Sequence, residues 1–290
     1  MASVDNSQLG KDVEYRDRYS PELLFPISRE ENRSPLGVHS GDLPFVGEDV
    51  WTSFEVSWLE PTGKPVVAIG VFRVPCDSAN IVESKSFKLY LNSFNQERFE
   101  NKSDLVLVLE RDLSAAAGAP VRVELRALED IQSIHQPSGQ CVDTLECRDF
   151  VYEPDAALLK LDTVQKGSVI SNDRVGDGAT NEVTESLYSN LLRSNCPVTG
   201  QPDWGTVVVT YSGKKIDQES LLRYIVSFRN CQDFHEHCVE RMFVDLLARC
   251  GCRELSVMAR YTRRGGLDIN PYRATPGLSS ECPSTRFVRQ

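Results

Sequence analysis

The chain has 290 residues, long for one compact domain, so two modules of workable core size are the starting expectation. Its 42 acidic against 32 basic residues leave a net charge of −10, which repels phosphate backbones and argues against nucleic acid or an anionic membrane as the main partner. The longest apolar run, Pro65 to Phe72, is far below the ~20 residues of a spanning helix, and the polar start resembles no signal peptide, so the chain reads as soluble and cytoplasmic.

Met1 to about Gly41 is polar, holds Pro21, Pro26 and Pro35 and keeps no period, so it reads as an extended arm or decorated loop. After Trp51, FEVSWLE and PVVAIGVFRV are strand-like and joined by the turn residues PTGK, a β-hairpin pattern. Leu105 to Ala116 is apolar at helical spacing and stops at Gly118 and Pro120; VRVELRAL then alternates like a strand. The second half gives a helical stretch ending near Arg193, a strand at Thr206 to Tyr211, a helix around Gln218 to Ser227, a long helix near Glu236 to Ala248 and a strand at Glu254 to Tyr261. This order predicts two copies of one α+β unit.

Two landmarks read as repeated. Pro44, Gly47 and Trp51 stand at the same spacing as Pro197, Gly200 and Trp204. Glu83-Ser84 opens a segment closed by Ser93-Phe94, and Glu219-Ser220 opens one, two residues shorter, closed by Ser227-Phe228. The copies differ where chemistry can sit: Leu43 stands where the second copy has Cys196, and the basic run with Lys85 and Lys88 faces a more apolar one. A composite site fed by both halves follows, with neither half sufficient alone. The expected division is an arm at 1–40, a first module with the cofactor motif at 41–150, a connecting segment at 151–195 and a second module at 196–290.

Nine cysteines, an odd number, in a chain without an export signal argue against a disulfide framework and raise metal binding or thiolate chemistry. Cys196 lies in the loop SNCPVTGQPDW, with Asp203 close behind. A thiol that adds to an electrophilic carbon and a carboxyl that delivers a proton form a minimal covalent pair; the alternative is a structural cysteine beside a turn aspartate. Cys231, His235, Glu236, His237 and Cys238 form the most metal-like grouping, yet they lack zinc-finger spacing, and Cys238 falls in phase with Met242 and Leu246 as a core stripe. His235 and Glu236 can instead read a heterocycle edge, the carboxylate accepting two N–H groups. Lys85 and Lys88, with Arg260, Arg263 and Arg264 before Gly265 and Gly266, are the notable positive clusters; they suit a phosphorylated cofactor or, alternatively, a solvated face. The Gly-rich near miss at Gly176 and Gly178 follows no strand, so no Rossmann site is expected.

ESKSFKLYLNSF from Glu83, SNCPVTGQPDWG from Ser194, FHEHCVERMF from Phe234 and RYTRRGGLDINP from Arg260 together resemble the NADPH-dependent 7-cyano-7-deazaguanine reductases (QueF), nitrile reductases of queuosine biosynthesis, in their long two-module form. The similarity runs from about Tyr15 to Arg273. It implies tandem tunnelling-fold (T-fold) modules, antiparallel sheets with helices on one face, assembling into a barrel, with a homodimer expected. It implies Cys196 as the nucleophile that forms a thioimide with the nitrile carbon and Asp203 as proton donor. Val82, Glu83, Ser84, His235 and Glu236 would contact the substrate, 7-cyano-7-deazaguanine, and Ser84, Lys85, Arg264 and Gly265 would hold NADPH, with no metal. The rival reading is a zinc-dependent GTP-cyclohydrolase-like enzyme of the same broad fold, which also grips a purine-like ring. A third is a non-catalytic purine-binding or tRNA-associated module.

Overall fold

The computed structural model describes residues 16–130, 133–162 and 181–290. The Gly176–Gly178 stretch and parts of the arm and connecting segment fall outside them. In chain order the main elements are β1 (Pro26–Ser28), α1 (Glu30–Arg33), β2 (Val46–Leu59), β3 (Pro65–Pro75), β4 (Asn80–Val82), α2 (Ser84–Asn92), α3 (Lys102–Ala117), β5 (Arg122–Arg126), β6 (Ile134–His135), β7 (Gln140–Cys141), β8 (Glu182–Asn195), β9 (Pro202–Lys214), α4 (Gln218–Ser227), α5 (His235–Cys250), β10 (Glu254–Tyr261), β11 (Leu267–Ala274) and β12 (Arg286–Phe287). This is an α+β chain. One eight-stranded sheet runs in the order β5-β3-β2-β11-β10-β9-β8-β7, antiparallel except where the short β7 joins β8.

Leaving aside the short β4 between β3 and α2, the sequence β-β-α-α-β occurs twice, as β2-β3-α2-α3-β5 and as β8-β9-α4-α5-β10. Matching irregularities strengthen the correspondence: β2 bulges between Ser53 and Val56 against β3, and β8 bulges between Ser189 and Leu192 against β9. The helices match as well. Glu83 and Asp217 are the N-caps of α2 and α4; Ser86 and Ser220 each return a hydroxyl bond to the cap carbonyl, and Ser93 and Ser227 bond the carbonyls of Tyr90 and Tyr224.

These contacts correct the sequence alignment. Ser86, not Ser84, corresponds to Ser220, so the segments match without a gap. The Pro-Gly-Trp landmarks are not equivalent: Gly47 and Trp51 lie on the first strand of their unit, whereas Gly200 precedes and Trp204 sits on the second strand of theirs. The stretch before Cys196 is strand β8, not helix, and it lies inside the segment read as a connector. The arm is not decoration either, because Leu23, Ile27, Arg29, Arg33 and Val38 are all buried and β1 pairs with β4.

Register assigns the two sheet faces. Phe72, Trp51 and Ile269 are cross-strand neighbours on one face, as are Arg273, Val257 and Val209, and this face carries the helices. One core lies under α2 and α3 around Trp51, Trp58, Phe72, Phe87 and Leu109; a second lies under α4 and α5 around Val209, Phe228, Val239, Phe243 and Val257. The predicted stripe of Cys238, Met242 and Leu246 belongs to the second core. β11 joins the halves, with Ile269 opposite Trp51 on one side and Val257 opposite Arg273 on the other.

Candidate active site

A cavity of about 280 Å³ opens where the two halves meet on the helix-bearing side. Its wall takes Trp51, Ile81, Val82, Ser84, Lys85 and Lys88 from the first half and Cys196, Gln201, Asp203, Phe234, His235, Glu236, Arg264 and Ile269 from the second.

Local structure explains the convergence. Cys196 follows the last residue of β8, and its N–H donates to the Gln201 carbonyl at 2.8 Å, so residues 196 to 201 close a tight connection. Ser194 and Asp203 are cross-strand partners, which returns the carboxylate to the thiol's side of the hairpin. Asn195 also donates from its N–H to the Cys231 carbonyl at 2.7 Å and accepts at its own carbonyl from Asp233 N–H at 3.2 Å. These two bonds deliver the start of α5, and with it His235 and Glu236, to the same wall. β4, held by β1, leads directly into α2 and presents Val82, Ser84 and Lys85.

Cys196 is only 7% exposed. Asp203 is buried, forms an ion pair with Arg264 Nη1, and lies 3.8 Å from His235 Nε2 through Oδ1. Arg264 Nη2 donates to Gln201 Oε1 at 2.9 Å. The His235 ring meets Tyr261 edge-on with centroids 4.0 Å apart. Burial pushes the imidazole down to about 4, with the Asp203 carboxylate opposing and Arg264 and Lys88 assisting, so His235 is neutral at neutral pH. Burial, aided by the nearby Asp49 carboxylate, pushes Glu236 up to about 7. Lys88 is pushed down by burial and then by its neighbour Arg264, two cations that an anionic ligand between them would relieve. An added Cβ on Gly265, whose φ is +59°, would stand 3.2 Å from Lys88 Nζ, so the bare backbone there leaves room beside the two cations.

Of the residues expected to touch substrate or cofactor, Glu83 and Gly265 stand off the wall. Glu83 is fully buried and caps α2, its carboxylate accepting from the N–H groups of Lys85 at 2.6 Å and Ser86 at 2.8 Å. Gly265 lies behind Lys88. The arginine cluster is also divided: Arg264 reaches the cavity, Arg263 stacks on Phe54 at 4.2 Å, and Arg260 turns to the helix-free side beside Cys282. Gln201 was overlooked, although it stands two residues from Asp203 and so invites a shared direction. Trp51 enters through its pairing with Ile269, which no local pattern announces. Among the described residues no three His, Cys, Asp or Glu side chains gather so as to hold a metal ion, and no helix is long and apolar enough to cross a membrane.

The comparisons with known proteins follow these motifs. Residues 15–125 match the family described as nitrile reductase, 7-cyano-7-deazaguanine-reductase N-term, and residues 202–277 match the family described as QueF-like protein. An NADPH-dependent 7-cyano-7-deazaguanine reductase of Saccharophagus degradans is 52% identical over 100% of both chains. Relatives of the same name from Dechloromonas aromatica and Azoarcus sp. are 52% and 53% identical, covering 98% and 95% of this chain and 95% and 92% of their own. This chain belongs to the family of NADPH-dependent 7-cyano-7-deazaguanine reductases.

Proposed function

We propose that the chain reduces the nitrile of 7-cyano-7-deazaguanine to the primary amine 7-aminomethyl-7-deazaguanine with two NADPH, through a covalent thioimide on Cys196, as a cytoplasmic step of queuosine tRNA modification. The supporting observation is one cavity whose wall holds a buried thiol, a buried carboxylate, a half-buried uncharged imidazole and a second buried carboxylate beside three cations. The relatives' names support the reductase and lend nothing to the hydrolase alternative.

Cys196 Sγ adds to the nitrile carbon, and the proton leaving the thiol passes through Asp203 to the nitrile nitrogen, giving the thioimide. When bound, the cofactor supplies hydride, two equivalents for the four-electron change. Between the two reductions the carbon–sulfur bond breaks and the thiol is restored. Trp51, Phe234 and Ile269 keep water from the imine, and Glu236 accepts the N–H donors of the guanine-like edge. Neutral His235 orients the Asp203 carboxylate without competing for its proton. Lys85, Lys88 and Arg264 suit the phosphates of NADPH, with Ser84 and Gly265 beside them and Val82 against the substrate ring. In this reading Glu83 acts through α2, whose first turn carries Ser84 and Lys85.

The tandem T-fold division, with a first module at 41–150 and a second at 196–290 extended back to take in β8, belongs to the same proposal, as does barrel closure in a homodimer. The supporting feature is that β5, at the end of the sheet, pairs only with β3 among the described residues. The test of function mixes protein, 7-cyano-7-deazaguanine and NADPH and follows reduced-nicotinamide absorbance. Two NADPH disappear per amine, Cys196→Ala gives no turnover, and without cofactor the nitrile adds covalently at Cys196. Turnover that survives in Cys196→Ala refutes the chemistry.

A further inference from the structure

Behind the cavity wall lies a dry ionic cluster. The arm plants Arg29 and Arg33 in the interior, where they meet Asp49 of β2, Glu240 of α5 and Arg273 of β11; all five are at most 1% exposed. Arg29 Nη2 bonds Asp49 at 2.5 Å, Arg33 reaches Glu240 at 2.6 and 2.9 Å, and Arg273 bonds Asp49 at 2.8 Å and Glu240 at 2.7 Å. Three guanidinium groups therefore face two carboxylates. A buried surplus cation is costly, and Nη1 of Arg29 and Nη1 of Arg33 have no hydrogen-bond partner.

The missing counter-charge is close at hand. Glu236 precedes Glu240 by one helical turn on α5, and Arg29, Asp49 and Glu236 line a single small cavity with Trp51 and Val82. Those last two residues, and Glu236 itself, also line the main cavity. Arg29 thus stands directly behind the residue assigned to the purine edge.

We propose that Arg29 is a positioning residue for this reaction: as the surplus charge of the buried cluster, it keeps the Glu236 carboxylate ionised and turned to accept the N–H donors of a guanine-type ring. The proposal rests on the reading of Glu236 given above. The charged groups around Glu236 act in opposite senses: Asp49 from β2 pushes it up, while Arg29 from the arm and His237 on its own helix pull it down. Arg33 and Arg273 engage Glu240 one turn away. Since Glu236 sits at about 7, binding through its ionised form weakens as the pH falls through neutrality.

The test measures calorimetric binding of 7-cyano-7-deazaguanine to the full chain carrying Cys196→Ala, from about pH 5.5 to pH 8.5. Adding Arg29→Gln moves the loss of affinity about one unit higher in pH, with about fivefold weaker binding at pH 7 that recovers above about pH 8. Adding Asp49→Asn moves it to lower pH. A merely structural role for the cluster weakens both variants at every pH and shifts neither profile, and that result overturns the proposal. Where a variant fails to fold, the Cys196→Ala chain itself decides: binding in buffers of different ionisation enthalpy shows proton release near pH 7 that vanishes by about pH 8.5, and its absence refutes the inference. The reading of Glu236 fails separately, if Glu236→Gln binds the ring as tightly as its parent.

Discussion

Glu240→Gln is the sharpest probe of the scaffold behind the site. Glu240 Oε1 accepts from Arg33 Nη2 at 2.6 Å and from Arg273 Nη2 at 2.7 Å, while Oε2 accepts from Arg33 Nε at 2.9 Å. Glutamine keeps the shape but removes the charge and turns an N–H donor toward guanidinium donors. Breaking a fully buried pair in this way costs about 3–5 kcal/mol. With an unfolding entropy of about 2.1 cal/mol/K per residue, the 290-residue chain loses about 5–8 °C in Tm at pH 7. The pH dependence has a definite sign. Burial pushes the Glu240 carboxyl up, but Arg273, Arg33 and Arg29 outweigh it and hold it far below its ordinary value of 4.5. A depressed carboxyl contributes stability that is complete above its unfolded pKa and is lost as the pH falls toward the folded one. The Tm gap between the parent and Glu240→Gln is therefore constant near neutrality and narrows below about pH 4.5 in scanning calorimetry. A gap under about 2 °C, or one unchanged between neutral and acid pH, refutes the argument.

Two further outcomes test the duplicated frame. Tyr224 and Tyr90 each donate to an aspartate on the following helix, Asp245 at 2.6 Å and Asp112 at 2.8 Å, but Asp112 also accepts from Tyr19 at 2.7 Å. In urea unfolding Tyr224→Phe loses about 1.5–3 kcal/mol, and Tyr90→Phe loses less because Asp112 keeps hydrogen bonds from Tyr19 and Arg111 whereas Asp245 keeps only a 3.8 Å ion pair with Arg241; equal losses contradict this. Gly47 has φ +151° and abuts β11, where an added Cβ would stand 2.0 Å from the Tyr272 carbonyl oxygen. Gly47→Ala is expected to lower stability by at least about 3 kcal/mol, and an unchanged urea midpoint shows that β2 can move aside.

The strands and helices with a clean period were legible, among them β3, β9, β10, α3, α4 and α5. β8 was not, because the bulge between Ser189 and Leu192 reverses its alternation midway and leaves leucines at helix-like spacing. β11 escaped because it is buried along its whole length, carries Asp268, Asn270 and Arg273, and contains Pro271, so neither alternation nor composition marks a strand. The arm was misjudged for a related reason: its buried anchors include arginines, whose burial depends on carboxylates contributed from β2 and α5. Within the site, Cys196, Asp203, His235 and Glu236 were visible as chemistry-bearing types in short motifs. That Glu83 spends its carboxylate on a helix cap, and that Arg260 and Arg264 separate to opposite faces, depends on local geometry that the motif text does not contain.

The ionic cluster also ties the two halves together behind the proposed site. All four polar groups nearest the proposed chemistry, Cys196, Asp203, His235 and Glu236, come from the second half. Yet after burial the charges that act most on Glu236 are Asp49 and Arg29, which come from the first half and its arm. Trp51, the apolar wall residue beside Ile269 in the sheet, also comes from the first half. A second half standing alone keeps its nucleophile but loses the cationic wall of Lys85 and Lys88, and it leaves Glu240 and Arg273 without Arg29, Arg33 and Asp49. The chain thus holds two similar frames joined by β11, and in the proposed site one frame supplies the reacting groups while the other supplies charges that act on them.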